Sequence, residues 1–428
     1  MIIPSIDIQE NSTVQLVGGE EKVLDAGDPR PLARKFGQVG EIAIVDLDAA
    51  MGVGRNSERI EQLLGLAQCR VGGGIRDLDT ALGWLDRGAT KIVLGTAARP
   101  ELLGKLPKER VIAALDAREG EVVVDGWKTR TGVKLEDAIV ALRASVGGFL
   151  VTIVEREGRL GGVDLEHAAR LLRLCGDARL TLAGGVTTAD EVARLDALGI
   201  DAQVGMALYT GRFTLADSLA AMLQSDRPDG LWPTVVADEQ GVALGLAYSN
   251  AASLTETMAT GRVAYQSRTR GLWRKGEISG AVQDLVRVDM DCDRDTLRFT
   301  VRQHGAGFCH HNARTCFGPA DRGIGALVRS IAEKRRSAST RSYTRRLLED
   351  PALLRSKLLE EAEELAVATD HADVVHEAAD LIYFALVTAE SRGVDLAAIE
   401  GELDARALRV RRRGGNAKPG GDPARGVR

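Results

Sequence analysis

Two halves of the first 225 residues repeat each other, and this repeat constrains the fold more than any other feature. Val71-Gly72-Gly73-Gly74-Ile75 is echoed by Leu182-Ala183-Gly184-Gly185-Val186, Leu94-Gly95-Thr96-Ala97 by Val204-Gly205-Met206-Ala207, and Ile6-Asp7-Ile8 by Leu115-Asp116-Ala117. The register between the halves is nearly constant. Short β-rich runs occupy Ile2–Ile8, Ile42–Leu47, Arg70–Gly73, Lys91–Leu94, Val111–Leu115, Phe149–Val154, Leu180–Ala183 and Ala202–Val204, with amphipathic stretches between them. Eight strands alternating with helices predict a closed parallel (β/α)8 barrel. Glycine at a strand end lets backbone N–H groups approach an anion, and a following helix N-terminus favours negative charge. Gly73, Gly74 and Gly95 in one half and Gly184, Gly185 and Gly205 in the other therefore suggest a substrate with a phosphate at each end. The same glycines would also suit tight strand-to-helix turns. Asp7 and Asp116 end strands one and five, where barrel enzymes place catalytic groups. Two carboxylates facing across a substrate can serve as general acid and base. Either one alone is as readily a structural aspartate.

Ser225-Asp226-Arg227-Pro228-Asp229-Gly230 breaks helix and strand and reads as a linker, as does Gly318-Pro319-Ala320-Asp321-Arg322-Gly323. We expect a multidomain chain: a barrel over 1–226, a small β-rich α+β domain over 227–320, an all-α domain over 321–408, and a basic, disordered tail over 409–428. In the second segment, Asp291, Asp293 and Asp295 alternate around Cys292, followed by Cys309 and Cys316. On a strand this spacing puts the aspartates on one face and Cys292 on the other. Carboxylates suit a hard ion such as Mg²⁺, and three thiolates suit Zn²⁺ with a fourth position open. Upstream, Arg268, Arg270, Arg274 and Lys275 cluster as phosphate partners would. In the third segment, leucines at roughly helical spacing accompany two acidic sets, Glu360, Glu361 and Glu364, then Glu377 and Asp380. At three- and four-residue spacing each set shares a helix face, and like charges there repel unless a shared Mg²⁺ draws on them as ligands. Lys357 is the nearby cation and a candidate phosphate contact.

The net charge of −5 indicates no global attraction to nucleic acid. Five cysteines form no paired framework and favour a reducing, cytoplasmic setting. The first residues lack a signal peptide's pattern, and no apolar run is long enough to span a membrane.

Ile3-Pro4-Ser5-Ile6-Asp7, Val45-Asp46-Leu47-Asp48, Gly72-Gly73-Gly74-Ile75-Arg76, Leu115-Asp116-Ala117, Gly126-Trp127 and Gly211-Arg212-Phe213-Thr214-Leu215 resemble the barrel isomerase of histidine biosynthesis. That family rearranges an aminoaldose to an aminoketose on a bis-phosphorylated imidazole nucleotide. The resemblance implies Asp7 as base at C2′ and Asp116 as acid at the ring oxygen. It also implies that Trp127 stacks on the substrate and that Arg76, Thr96 and Thr152 join the glycines as substrate contacts. Where many members read T-D-I-x-x-D-G, this chain has Thr152, Ile153 and Glu157 before Gly158, and Gln15 stands where arginine is common. These departures motivate an alternative, a barrel that binds the nucleotide without turning it over.

Residues 231–317 resemble phosphoribosyl-AMP cyclohydrolase. This implies Zn²⁺ on Cys292, Cys309 and Cys316, with Cys292 supplied across a homodimer interface. It also implies Mg²⁺ on Asp291, Asp293 and Asp295, and His310 as proton carrier. His311 and Asn312 depart from the common C-H-T-G pattern. Ser342-Tyr343-Thr344, Leu347-Leu348-Glu349-Asp350 and the E-E-x-x-E and E-x-x-D sets resemble phosphoribosyl-ATP pyrophosphohydrolase over 324–407. Here Mg²⁺ on the five carboxylates would clamp a triphosphate. The expected partners are small phosphorylated nucleotides and a second copy of the chain, with neither nucleic acid nor membrane.

Overall fold

The computed structural model describes residues 1–17, 21–124, 126–157, 161–318, 322–336 and 342–411. Gly158, the centre of the second linker and the tail from Arg412 lie outside them. All eight expected barrel strands form, at Ile2–Gln9, Ile42–Asp46, Cys69–Gly72, Lys91–Leu94, Val111–Arg118, Gly148–Ile153, Arg179–Ala183 and Asp201–Val204. They follow one another around a closed parallel barrel, in which Gly148–Ile153 pairs with both Val111–Arg118 and Arg179–Ala183. Runs such as Ile42-Ala43-Ile44 and Phe149-Leu150-Val151 are buried on both faces, as strands between a packed interior and a helical ring must be.

Strands one and five do not stop at the aspartates. Each continues into an antiparallel hairpin, with Ser12–Val17 and with Glu121–Val124. The two-residue turns are Glu10-Asn11 and Glu119-Gly120, and all four residues have positive φ. That is the type I′ geometry, whose twist matches paired strands. The internal repeat thus extends to the loops beside the two candidate catalytic groups.

The chain divides into two compact units. One takes in Pro4–Ala33, Glu41–Gly185 and the described residues from Ala405, and it carries Asp7 and Asp116. Within it the first residues of the expected tail are held in place. The N–H groups of Val410 and Arg411 donate to Asp86 Oδ1, each at 2.9 Å, and the Arg411 guanidinium donates to Asp86 Oδ2 at 2.5 Å.

The other unit takes in Met1–Ile3, Arg34–Gly40 and Val186–Asp404. Its four-stranded sheet runs Ala243–Ser249, Trp232–Ala237, Leu297–Gln303, Gln283–Met290. Tyr265 is fully buried and stacks on Phe299 of that sheet with ring centroids 6.0 Å apart, and its hydroxyl donates to Gln283 Oε1 at 2.7 Å. The strand expected around Cys292 does not form. Asp291–Asp295 instead lie in the turn joining Gln283–Met290 to Leu297–Gln303, with Arg294 at φ +64°. Extended backbone would set alternate carboxylates roughly 6.6 Å apart along one face. The turn brings ligand oxygens of Asp291, Asp293 and Asp295 within 4.8 Å of one another.

The helices Gly323–Arg336, Tyr343–Glu349, Pro351–Val367, His371–Ser391 and Leu396–Ala407 follow. Asp350 caps Pro351–Val367 and Asp370 caps His371–Ser391. The short connection between these two helices makes them neighbours. Ile331, Leu347, Leu354, Phe384, Leu386 and Val387 form their core. Among the described residues no helix is long and apolar enough to cross a membrane.

Candidate active sites

In the barrel, burial pushes the Asp7 carboxyl up to about 6, opposed by the Ser5 hydroxyl, which donates to Asp7 Oδ1 at 2.9 Å. Burial also raises Asp116, against the stabilising hydroxyl of Thr152 and indole N–H of Trp127. Thr152 lies opposite Asp116 on the neighbouring strand, so strand register alone brings that hydroxyl to the carboxyl. Trp127 reaches it from a turn at φ +69°. A third acid joins them. Glu157 is pushed up to about 7 by burial and by the charges of Asp7 and Asp116, and its Oε2 is buried without a hydrogen-bond partner. Gly184, at φ +84°, makes room for it, since a Cβ there would lie 2.9 Å from Glu157 Oε2. Gly73, at φ +95°, is demanded by packing as well, because a Cβ would meet Asp46 O at 2.2 Å. Gly74 and Gly185 follow these two in the same strand-to-helix loops, Gly95, Thr96 and Gly205 follow strands four and eight, and the Arg76 guanidinium donates to Ala50 O at 2.9 Å.

Asp7 and Glu157 bind protons more tightly folded than unfolded, so their contribution is fully present below their unfolded values near 4 and is lost as pH rises from there through about 6 and about 7. Replacing Glu157 with glutamine removes that loss. Glu157→Gln is expected to raise stability by about 2 kcal/mol near pH 8, roughly 5 °C in melting temperature, with the gain fading near pH 4.5. Melting curves at both pH values check this, and an equal shift at both would show that Glu157 is not held neutral by its surroundings.

In the second domain a tight loop returns Cys316 to Cys309. Cys309 N–H donates to Ala313 O at 3.0 Å, and Phe308 N–H to Arg314 O at 3.0 Å. The two thiols come within hydrogen-bonding reach, and burial together with Cys309 raises Cys316. Lys275 stands apart from the exposed Arg268 and Arg270. It is 7% exposed, donates to Phe308 O at 3.0 Å, and its positive charge acts on both thiols. Arg268 stacks over the Tyr248 ring at 4.9 Å. His310 and His311 are exposed, with ring centroids 3.9 Å apart. Cys292 is exposed, and among the described residues the three cysteines do not gather into a ligand group. Cys309 and Cys316 supply two soft donors of the kind that fits Zn²⁺. In the turn, Asp291 Oδ1 accepts the N–H groups of Asp295 and Thr296, both at 3.1 Å, which leaves an oxygen-only donor set that fits Mg²⁺.

In the helical domain, ligand oxygens of Glu360, Glu361 and Glu364 lie within 4.8 Å of one another, as do those of Glu361, Glu377 and Asp380. Glu361 belongs to both groups and is 4% exposed. Lys357 Nζ pairs with Glu360 at 2.7 Å and Glu361 at 3.0 Å. Burial and Glu364 raise Glu377, whose Oε2 is buried without a partner. An orphaned carboxylate oxygen beside a buried acid fits a divalent cation.

Residues 1–214, half of the chain, match the family described as histidine biosynthesis protein. The chain belongs to that family. Beyond the family's barrel, residues 245–318 match phosphoribosyl-AMP cyclohydrolase and residues 324–407 match phosphoribosyl-ATP pyrophosphohydrolase. A histidine biosynthesis trifunctional protein of Neurospora crassa is 36% identical over 351 residues, 80% of this chain and 38% of the relative. A histidine biosynthesis bifunctional protein of Schizosaccharomyces pombe is 48% identical over 207 residues, 48% of this chain and 49% of the relative. A 1-(5-phosphoribosyl)-5-((5-phosphoribosylamino)methylideneamino) imidazole-4-carboxamide isomerase of Natronomonas pharaonis is 37% identical over 234 residues, 52% of this chain and 98% of the relative. The chain spans less than half the length of the curated multifunctional relatives it matches.

Proposed function

We propose that this chain runs three consecutive steps of histidine biosynthesis. The helical domain, 321–408, would hydrolyse phosphoribosyl-ATP to phosphoribosyl-AMP and pyrophosphate. The domain over 227–320 would open the adenine ring by hydrolysis. The barrel, 1–226, would isomerise the resulting aminoaldose to the aminoketose. One observation carries the reading: the two domains that match hydrolase families each bring carboxylates together as a divalent cation needs, while the barrel that matches the isomerase family holds Asp7 and Asp116 with raised carboxyls.

In the barrel, Asp116 would give a proton to the ring oxygen as the C1′–O bond breaks, and Asp7 would remove the C2′ proton. The electron pair then moves to make the enolamine, which tautomerises to the ketose. Raised carboxyls exchange protons with carbon and oxygen at lower cost near neutral pH. Trp127 would stack on the substrate while its indole N–H steadies Asp116, and Thr152 would hold the same carboxyl. In the second domain Cys309 and Cys316, with Cys292 of a second copy, would hold Zn²⁺, which supplies acidified water. His310 would carry the proton to the ring nitrogen, and Arg268 and Arg270 would hold phosphate. Asp291, Asp293 and Asp295 would hold Mg²⁺ there. In the helical domain the five carboxylates would hold Mg²⁺ against the triphosphate, and Lys357 would switch from Glu360 and Glu361 to phosphate. We expect a homodimer in which Cys292 of a second copy completes the thiolate set begun by Cys309 and Cys316, and a cytoplasmic setting that keeps these cysteines reduced.

A purified full-length chain given phosphoribosyl-ATP, Mg²⁺ and Zn²⁺ is expected to accumulate the ketose, identified by chromatography. A stop at the ring-opened aldose would favour the second reading, a barrel that only binds the nucleotide, for which Ile153 and Glu157 are the motive. Untouched phosphoribosyl-ATP would remove the assignment of the helical domain.

A further inference from the structure

Arg294 sits between two aspartates of the carboxylate turn yet makes its ion pair elsewhere. Its Nε donates to Asp196 Oδ2 at 2.8 Å and its Nη2 to Asp196 Oδ1 at 3.0 Å, while Nη1 donates to the main-chain carbonyl of Asp291 at 2.8 Å. Asp196 belongs to the barrel helix Ala189–Ala197, and its side chain is 9% exposed. It also accepts the amino group of Met1 at 2.7 Å. A backbone tie reinforces the pair, since Gln224 N–H donates to Arg294 O at 2.8 Å. A forked guanidinium–carboxylate pair is strong and directional. Here it holds a residue whose φ of +64° is uncommon for a side chain with a Cβ.

We propose that Asp196 is a positioning residue for the divalent-cation site of the second domain. It acts on Asp291, Asp293 and Asp295 through Arg294. The inference rests on reading that turn as a cation site. Asp196 acts in two ways. Through Arg294 it fixes the turn in the shape that gathers the three carboxylates. It also sequesters a guanidinium that would otherwise fold back onto Asp293 or Asp295 and compete with the cation. The barrel helix thereby becomes part of the neighbouring domain's ligand scaffold.

The charge argument separates this role from a merely structural one. Asp196→Asn frees the guanidinium, whereas Arg294→Gln removes it. Both loosen the turn, but only the first adds a competing cation, so Asp196→Asn should weaken the site more. The readout is hydrogen exchange of the 290–297 segment in the full-length chain during a Mg²⁺ titration. Wild type is expected to gain protection with Mg²⁺. Asp196→Asn is expected to need about ten-fold more Mg²⁺ for half protection, the scale on which loss of a ligand's supporting partner weakens metal binding, and Arg294→Gln only about three-fold more. Isomerisation by the barrel should be unchanged in both. Arg294→Gln breaks the same pair while leaving every barrel residue in place, and so guards against a folding defect in Asp196→Asn. If both variants titrate within two-fold of wild type while Asp293→Asn loses Mg²⁺-dependent protection, the positioning role is wrong and the cation site stands. If wild type itself gains no protection, the cation reading fails and the proposal falls with it.

Discussion

Asp7→Asn is expected to stop the isomerisation while both hydrolytic steps run on. The carboxyl is half-buried, takes a hydrogen bond from Ser5, and is pushed up to about 6, so above that pH it is a poorly solvated base near the mouth of strand one. Asparagine keeps its shape and can still accept the Ser5 hydroxyl, but it cannot take a proton. General-base catalysis contributes typically 10²–10⁴-fold, so kcat should fall about a thousand-fold. KM should move little, because the glycines proposed to hold the phosphates follow other strands. The expected result is accumulation of the ring-opened aldose from phosphoribosyl-ATP, measured by chromatography. In wild type the isomerisation rate should fall as pH drops through about 6, where Asp7 takes up its proton. Continued ketose formation by the variant would move the base to Asp116 or Glu157.

Much of the barrel was legible because most of its strands are short, largely buried and rich in aliphatic residues. The hairpins after strands one and five were not, since Glu10-Asn11 and Glu119-Gly120 carry no long alternating pattern to announce a second strand. Asp7 and Asp116 were legible as repeat-related strand ends. The part played by Glu157 was not, because it depends on the open space that Gly184 leaves far along the chain. The family resemblance showed Glu157 only as a longer acid four residues after Ile153, where another carboxylate is missing. In the second domain the residue types pointed to metal chemistry, but the geometry assumed for them was a strand. A positive φ at Arg294, a residue with no preference for it, made the turn hard to foresee. Lys275 is similar. Its neighbours in sequence are exposed arginines, while its burial comes from Phe308 and the cysteine loop.

Glu361→Gln is expected to silence the helical domain and with it everything downstream. The spacing rule that made this acidic face legible also explains its cost. Five carboxylates share two neighbouring helices; Lys357 pairs with Glu360 and Glu361, and His376 lies 3.5 Å from Asp380. Glu361 is the member common to both groups and the one most removed from water, so its charge is the hardest for solvent to replace. Glutamine leaves the helix and packing intact but takes a negative oxygen from both sets. Phosphoribosyl-ATP hydrolysis should fall at least about a hundred-fold, since a lost ligand costs more than the 10–100-fold typical of a ligand's supporting partner. Phosphoribosyl-AMP supplied directly should still be carried to the ketose. Without metal the variant should melt no lower than wild type, because one repelling charge is gone. With Mg²⁺ it should lose the rise that ligand binding gives the native state, RT ln(1 + [L]/Kd). Glu363→Gln, on the same helix but outside both groups, serves as the control and should retain rate and Mg²⁺-dependent melting. An equal loss in both variants would mean that the acidic face acts through general charge rather than as a ligand set. A retained Mg²⁺ shift in Glu361→Gln would remove it from the cation site.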